Sequence, residues 1–287
     1  MKRGKTITLY LIDGDANGRI MCNLSNWSGK AYKIPRNLVK VSNDRTDIHS
    51  TGVYILFGKN TENENTAYIG EAENIKQRLE QHLSQKDFWT DAVVFISKDN
   101  NLNKAHIKYM ENRLYEMAKD MGRYNLENSS TPTKSNISEP DQAEMEEFMD
   151  NLVLLTNTLG YKIFEPILQS QKLLDKKDGV VSNTDNVFTI QKLNKNINAK
   201  GKSTNEGFVV LKDSVIASKI QNSVNNTMIE LRNKYISDGI IISKDSNIIL
   251  TKDILFSSPS SAAILVLGRS ANGLTEWKCN GKSLKDF

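Results

Sequence analysis

Apolar positions in this chain fall into two kinds of run. Thr6 to Ile12 (TITLYLI), Val53 to Gly58, Ala67 to Gly70 and Asp91 to Asp99 (DAVVFISKD) crowd β-branched and aromatic residues into short blocks bounded by turn residues, which predicts strands. Asp13-Gly14 reads as a turn, and GRIMCNLSNW with GKAYKIP reads as a second strand pair turning at Ser28-Gly29. The polar loop KNTENENT between Gly58 and Ala67 predicts a hairpin with a long connection. Elsewhere the apolar period lengthens. Ile75, Leu79 and Leu83 recur at four-residue steps behind Asn74, a cap residue. Ile107, Met110, Leu114, Met117, Ala118 and Met121 share one helical stripe, with Asn103 placed to cap it and Gly122 to end it.

The coarse order predicts an α+β protein. A β-rich module spans 1–50 and includes a short helical stretch after Pro35. A compact domain at 51–160 holds an antiparallel sheet of about three strands flanked by helices, with a trailing helix from Asp141 to Leu159, acidic in its first turn. Residues 161–205, rich in Lys, Asn and Asp, read as a linker containing one strand, Phe188 to Leu193. An α+β unit then covers 206–287: strands from Gly207 to Ile216, a helix from Ser218 to Tyr235, a hairpin turning at Asp245-Ser246, a helix opening at Ser258-Pro259, and Gly-containing turns around Trp277.

Length and composition narrow the classes. With 287 residues, 38% hydrophobic and 25% charged, the chain is of soluble globular type and exceeds one typical domain. No apolar run reaches the length of a membrane span. The opening MKRGKTITLYLIDGD breaks at Asp13 without a small-residue cleavage site, and so reads as a strand, not a secretory signal. The two cysteines, Cys22 and Cys279, lie far apart, which favours a reducing, cytoplasmic compartment and excludes a CxxC zinc site. Trp27 and Trp277 read as core anchors. The absence of GxxxxGK[ST] argues against a nucleotide cofactor. The net charge of +4 is uneven: +3 over 1–130, −5 over 131–170 and +6 over 171–287. Two basic segments around an acidic one lean toward a polyanionic partner.

One constellation carries chemistry. Gly52-Val53-Tyr54 opens one predicted strand, and Tyr68-Ile69-Gly70 closes the next. Arg78 follows on a helix, Glu111 sits at the edge of the apolar stripe of a later helix, and RYNLENSSTP supplies asparagines. These elements, in this order, resemble the GIY-YIG nuclease family over Thr51 to Pro132, in a bacterial type of protein. The loop between the triplets is a little longer than the family pattern. The resemblance implies hydrolysis of DNA phosphodiester bonds with one divalent ion, Mg²⁺ or Mn²⁺, held by Glu111. Arg78 would then neutralise phosphoryl oxygens, Tyr54 and Tyr68 would flank the attacking side, and Asn128, in preference to Asn125, would be the family asparagine.

Physical chemistry supports those roles and adds a condition. Guanidinium presents a fork of donors suited to phosphate, and a single carboxylate completed by water and substrate oxygens suits Mg²⁺. Tyr54 can serve as a base only if cations favour its phenolate. Arg78, the metal, Lys76 or His82 are candidates for that, and His82, one turn after Arg78, could instead take the proton itself. Gly52 and Gly70 would let backbone and substrate approach closely.

The flanks also have resemblances. SNWSGKAYKIPR resembles the leader module of GIY-YIG proteins that carry a long C-terminal extension. SPSSAAILVLGRSANGLTEWKCNGKSLKDF resembles an uncharacterised accessory domain at the ends of such nucleases and of restriction-modification proteins. That likeness suggests DNA contact by Arg269, Asn272 and Lys278, with Lys76 near the site, and possible restriction or phage-defence partners. Two alternatives stand beside the enzyme: a catalytically silent nucleic-acid-binding regulator, and a nuclease subunit active only within a restriction or defence assembly.

Overall fold

The computed structural model describes residues 4–168 and 186–287, and the chain divides into two compact units, Met1–Glu165 and Pro166–Phe287. No helix among the described residues is long and apolar enough to cross a membrane. The stretch 169–185 of the expected linker lies outside the described residues.

The first unit is built on one sheet. Its strands are β1 (Ile7–Leu11), β2 (Ile20–Leu24), β3 (Gly29–Pro35), β4 (Gly52–Lys59), β5 (Asn65–Ala72), β6 (Trp89–Ser97) and the two-residue β7 (Asn125–Leu126), in the spatial order β1-β2-β3-β6-β4-β5-β7. The expected sheet of three strands is therefore only the middle of a seven-stranded one. The N-terminal strands are not a separate module. β3 pairs antiparallel with β6 along its whole length, from Gly29 opposite Ser97 to Pro35 opposite Asp91.

Both faces of this sheet are covered at β4, and that explains why GVYILF reads as a continuous apolar block. Tyr54 and Leu56 point toward α1 (Ile75–Gln85) and pack with Ile75 and Leu79. The 3₁₀ turns of Arg36–Leu38, Lys40–Asp44 and Thr46–His49 close that side through Val39 and Ile48, where a single short helix was expected. Val53, Ile55 and Phe57 point to the other face, against Ile107, Met110 and Leu114 of α2 (Lys104–Met121) and Phe148 and Leu152 of α3 (Glu139–Thr158). Trp27 belongs to this second core, as its pattern suggested.

The helix ends follow their caps. Asn74 and Asn103 accept from the backbone amides of Gln77 and His106, and Gly122 terminates α2 at φ +61°, a left-handed conformation that glycine adopts without strain.

The second unit begins earlier than the sequence suggests. Its strands are β8 (Phe188–Lys192), β9 (Ile197–Thr204), β10 (Gly207–Val210), β11 (Val215–Ile216), β12 (Ile241–Lys244), β13 (Asn247–Leu250), β14 (Ile254–Phe256), β15 (Lys278–Cys279) and β16 (Lys282–Ser283). They form one nine-stranded sheet. Residues 188–204, expected in the linker, thus supply β8 and β9, with β9 pairing with β8, β10 and β11. The β12–β13 hairpin turns at Asp245 and Ser246, both at positive φ, as expected. The helix α4 (Asn226–Ser237) starts eight residues after the expected Ser218, at its cap Asn225. The apolar α5 (Pro259–Leu267), capped by Ser258, is buried with Trp277 in this unit's core, and the short α6 (Gly273–Glu276) follows it. Both cysteines are buried and free.

Candidate active site

The site is assembled on β4, β5 and α1, where the pleat brings the two tyrosines to one face. Tyr54 lies opposite Gly70, and Tyr68 lies opposite Leu56 in the antiparallel β4–β5 register, so both rings stand on the α1 side. Arg78 and His82, one helical turn apart on α1, reach down to them. The Tyr54 hydroxyl is fully buried and has two partners: Arg78 Nε donates to it at 3.3 Å, and His82 Nε2 lies 2.7 Å away. The guanidinium can only donate, so it occupies one lone pair of the phenol oxygen; the hydroxyl either donates to His82 Nε2 or accepts from it, according to the imidazole tautomer. His82 Nδ1 is buried and has no hydrogen-bond partner among the described residues. The rings pack as a cluster, with Tyr54 6.2 Å and His82 5.2 Å from Tyr68 between centroids.

Gly70 is required for this arrangement. A side chain there would overlap the Tyr54 hydroxyl and ring, so the close approach that glycine permits is to Tyr54, where substrate was expected. At Gly52 the intruding neighbour would be the Phe95 carbonyl of β6, again a matter of strand packing.

The electrostatics revise the expectation for Tyr54. Burial pushes its phenol well above the usual value, Tyr68 and Glu111 push the same way, and the Arg78 contact only partly offsets them. Tyr54 therefore rests as a neutral phenol. Lys76, a suggested phenolate partner and nucleic-acid contact, is 1% exposed and is held by Glu80 at 2.5 Å. It is a helix-pairing residue, not a surface cation. His82 is held down to about 4, first by burial and then by the charges of Arg78 and Lys86, so it is neutral and can accept a hydrogen bond.

Glu111 comes from α2, which packs on the opposite face of the sheet, and it meets the site at the open end of β5. Its charge acts on Tyr54 and Arg78 acts on it, so the carboxylate belongs to the same electrostatic neighbourhood. Burial first and then the adjacent Glu71 push it up to about 7, against the opposing pull of Lys104, Arg78 and the Glu71 backbone. Lys104 instead pairs with Glu71 at 2.9 Å. A half-buried carboxylate beside a second one, without a fixed cation of its own, is a donor set that suits a hard divalent ion. No group of three or more His, Cys, Asp or Glu that could enclose a metal occurs among the described residues, so any ion here depends on water and phosphate oxygens for most of its ligands. Glu71 is a residue the sequence reading missed, although it directly follows the YIG triplet.

Asn128 has a scaffolding position. Its Oδ1 accepts from the Ile69 amide at 3.1 Å, and its Nδ2 donates to the Ile69 carbonyl at 2.8 Å. It thereby continues, with a side chain, the edge pairing that β7 begins opposite Thr66 and Ala67. Asn125 holds Glu64 in the β4–β5 connection at 2.6 Å. Asn128→Ala is expected to cost about 1–3 kcal/mol, the loss of both amide bonds to Ile69. Chemical denaturation checks it; unchanged stability would mean that water replaces the amide without loss.

The C-terminal candidates do not converge. Arg269 is tied to Glu276 at 2.5 Å, and Glu276 also pairs with Lys192 at 3.2 Å. Asn272 caps α6 by accepting from Leu274 N. Of the three, Lys278 alone is an exposed cation without an ion pair among the described residues.

Residues 50–118 match the family model of the GIY-YIG catalytic domain, and residues 188–287 match that of a domain of unknown function (DUF4357). The second match starts with β8, as the second unit's sheet does, and not at residue 206. No curated protein and no solved structure matches the chain.

Proposed function

We propose that this chain, a member of the GIY-YIG endonuclease family by its residues 50–118 with a C-terminal accessory domain, is a divalent-metal-dependent endonuclease that hydrolyses DNA phosphodiester bonds. One observation carries the reading: a buried Tyr54 hydroxyl clamped between Arg78 Nε and His82 Nε2, within the field of Glu111. A packing tyrosine needs neither a guanidinium nor a neutral imidazole on its oxygen.

In this reading Arg78 binds a non-bridging oxygen of the scissile phosphate with the guanidinium hydrogens left over, since Nε donates to Tyr54 and Nη1 donates to Gln81 Oε1 at 3.0 Å. Tyr54 orients the attacking water and relays its proton to His82 Nε2 as the phosphorus–oxygen bond forms. His82 is a weak base at rest, but an incoming phosphate brings negative charge that offsets the repulsion of Arg78 and Lys86 and raises its proton affinity. Glu111, with Glu71 beside it, would hold Mg²⁺ or Mn²⁺, and a bound ion would neutralise charge developing on the phosphate and on the departing oxygen. Tyr68 packs edge-on against His82 and carries it from the other side. Asn128 keeps the YIG strand in register.

The test is nicking of supercoiled plasmid with Mg²⁺ or Mn²⁺, wild type beside Glu111→Ala purified identically. Nicking by the wild type alone supports the reading. Equal nicking by both points to a contaminant, and DNA binding without nicking by the wild type would favour a silent regulator.

A further inference from the structure

The cationic face of α1 does not stop at His82. One more turn along, at the helix C-cap, Lys86 places its Nζ 4.2 Å from the centre of the Tyr68 ring. Arg78, His82 and Lys86 therefore form a row at four-residue steps, interleaved with the two tyrosines: Arg78 and His82 on Tyr54, His82 against Tyr68, Lys86 over Tyr68. Lys86 is half-buried and has no carboxylate partner among the described residues, although Asp87 follows it directly; Asp87 lies 3.4 Å from Arg36 instead. Its charge reaches His82.

The backbone beneath Lys86 is fixed with unusual care for a helix end. Arg36 donates from one nitrogen to the Lys86 carbonyl at 2.5 Å and from the other to the Leu83 carbonyl at 2.9 Å, while stacking over Trp89. Trp89 Nε1 and the Lys86 amide both donate to the His82 carbonyl. The last carbonyls of α1, ordinarily left to water, are thus satisfied by side chains from β3's end and β6. Packing of this kind holds a functional cation in place before its ligand arrives.

We propose that Lys86 is a substrate-binding residue that holds a backbone phosphate of the DNA strand next to the scissile one, at the far end of the row that Arg78 begins. Lys86 lies eight positions beyond Arg78, at the C-cap of α1, so the two cations follow one another along the path of the strand across Tyr54 and Tyr68. Tyr68 then has a second purpose: its ring carries the lysine stem and ammonium by a cation–π contact. The inference rests on the nuclease reading above.

The experiment compares wild type, Lys86→Gln and Lys86→Arg, using a duplex oligonucleotide in steady-state cleavage with Mg²⁺ and in binding titrations across salt. Binding is measured on the Glu111→Gln background so that substrate survives. Lys86→Gln is expected to raise KM about tenfold with kcat within about twofold, and to lower the slope of log affinity against log salt by about one. Lys86→Arg is expected to restore both. A purely structural lysine would lower the melting temperature and leave the salt slope unchanged; that result overturns the proposal. Cleavage by wild type with identical KM and slope in Lys86→Gln overturns it while leaving the nuclease reading intact. A wild type that neither binds nor cleaves the duplex overturns both.

Discussion

Glu111→Gln is expected to abolish cleavage and, in the same molecule, to make the metal-free protein more stable above pH 7. The carboxyl titrates near 4.5 in an unfolded chain and at about 7 in the folded one, first because it is buried and then because Glu71 is beside it. Between those values the folded state binds the proton that the unfolded state has already released. Stability therefore falls as pH rises from about 4.5 to about 7, and the loss persists above that window. The full shift would correspond to about 3 kcal/mol, and partial exposure of the side chain reduces this to roughly 1–2 kcal/mol. Glutamine cannot ionise and escapes the loss. In chelator at pH 8, Glu111→Gln should melt several degrees above wild type, at roughly 2–4 °C per kcal/mol for a unit of this size. At pH 4.5 the two should coincide. Cleavage should fall by about a thousandfold or more, since the bound ion would supply several kcal/mol of charge stabilisation. Thermal melts at the two pH values, beside a nicking assay, test both halves. A variant no more stable than wild type at pH 8 would mean that the carboxylate is adequately solvated and that no cation is needed to satisfy it.

Tyr54→Phe should separate the chemistry of the site from its packing. The ring still fills the space above Gly70, so the strand register and the α1 contact survive. What disappears is the oxygen between Arg78 Nε and His82 Nε2. Stability should drop by about 1–3 kcal/mol, because a buried imidazole nitrogen and a guanidinium N–H lose their partner together. Cleavage should drop by about 10²–10⁴-fold, the range of general-base effects, with KM little changed. His82→Gln should cost a similar factor, and the double variant should cost about the same as either single one, as expected for residues that pass one proton as a unit. Independent, multiplying losses would mean that the hydroxyl and the imidazole do not work in series. Wild-type rates in Tyr54→Phe would remove Tyr54 from the reaction entirely.

Much of the machinery was legible because it is local. A cap residue acts on amides two or three positions away, so Asn74, Asn103, Ser258 and Gly122 announced helix ends that the structure keeps. The step of four from Arg78 to His82 fixed both on one side of α1, and Glu111, at the margin of an apolar stripe, is half-buried. The same step continues to Lys86, yet nothing in the sequence marks that lysine out from Lys76, because the distinction lies in what packs against each. Lys76 is buried and bonded to Glu80, while Lys86 faces Tyr68.

What the sequence by itself determined is therefore most of the longer helices and strands, the caps at Asn74, Asn103 and Ser258, and the identity of the groups on each helical or strand face, since backbone periodicity and capping involve only neighbouring residues. Tertiary structure alone decided which strand lies beside which. Pairing of β3 with β6 drew the N-terminal segment into the catalytic sheet, and β8 with β9 turned an apparent linker into the start of a second sheet. Edge hydrogen bonds are chemically alike, and the choice among them is made by side-chain packing between residues far apart in the chain. Tertiary structure also decided the charge states, because the neutrality of Tyr54 and His82 comes from the water their neighbours exclude.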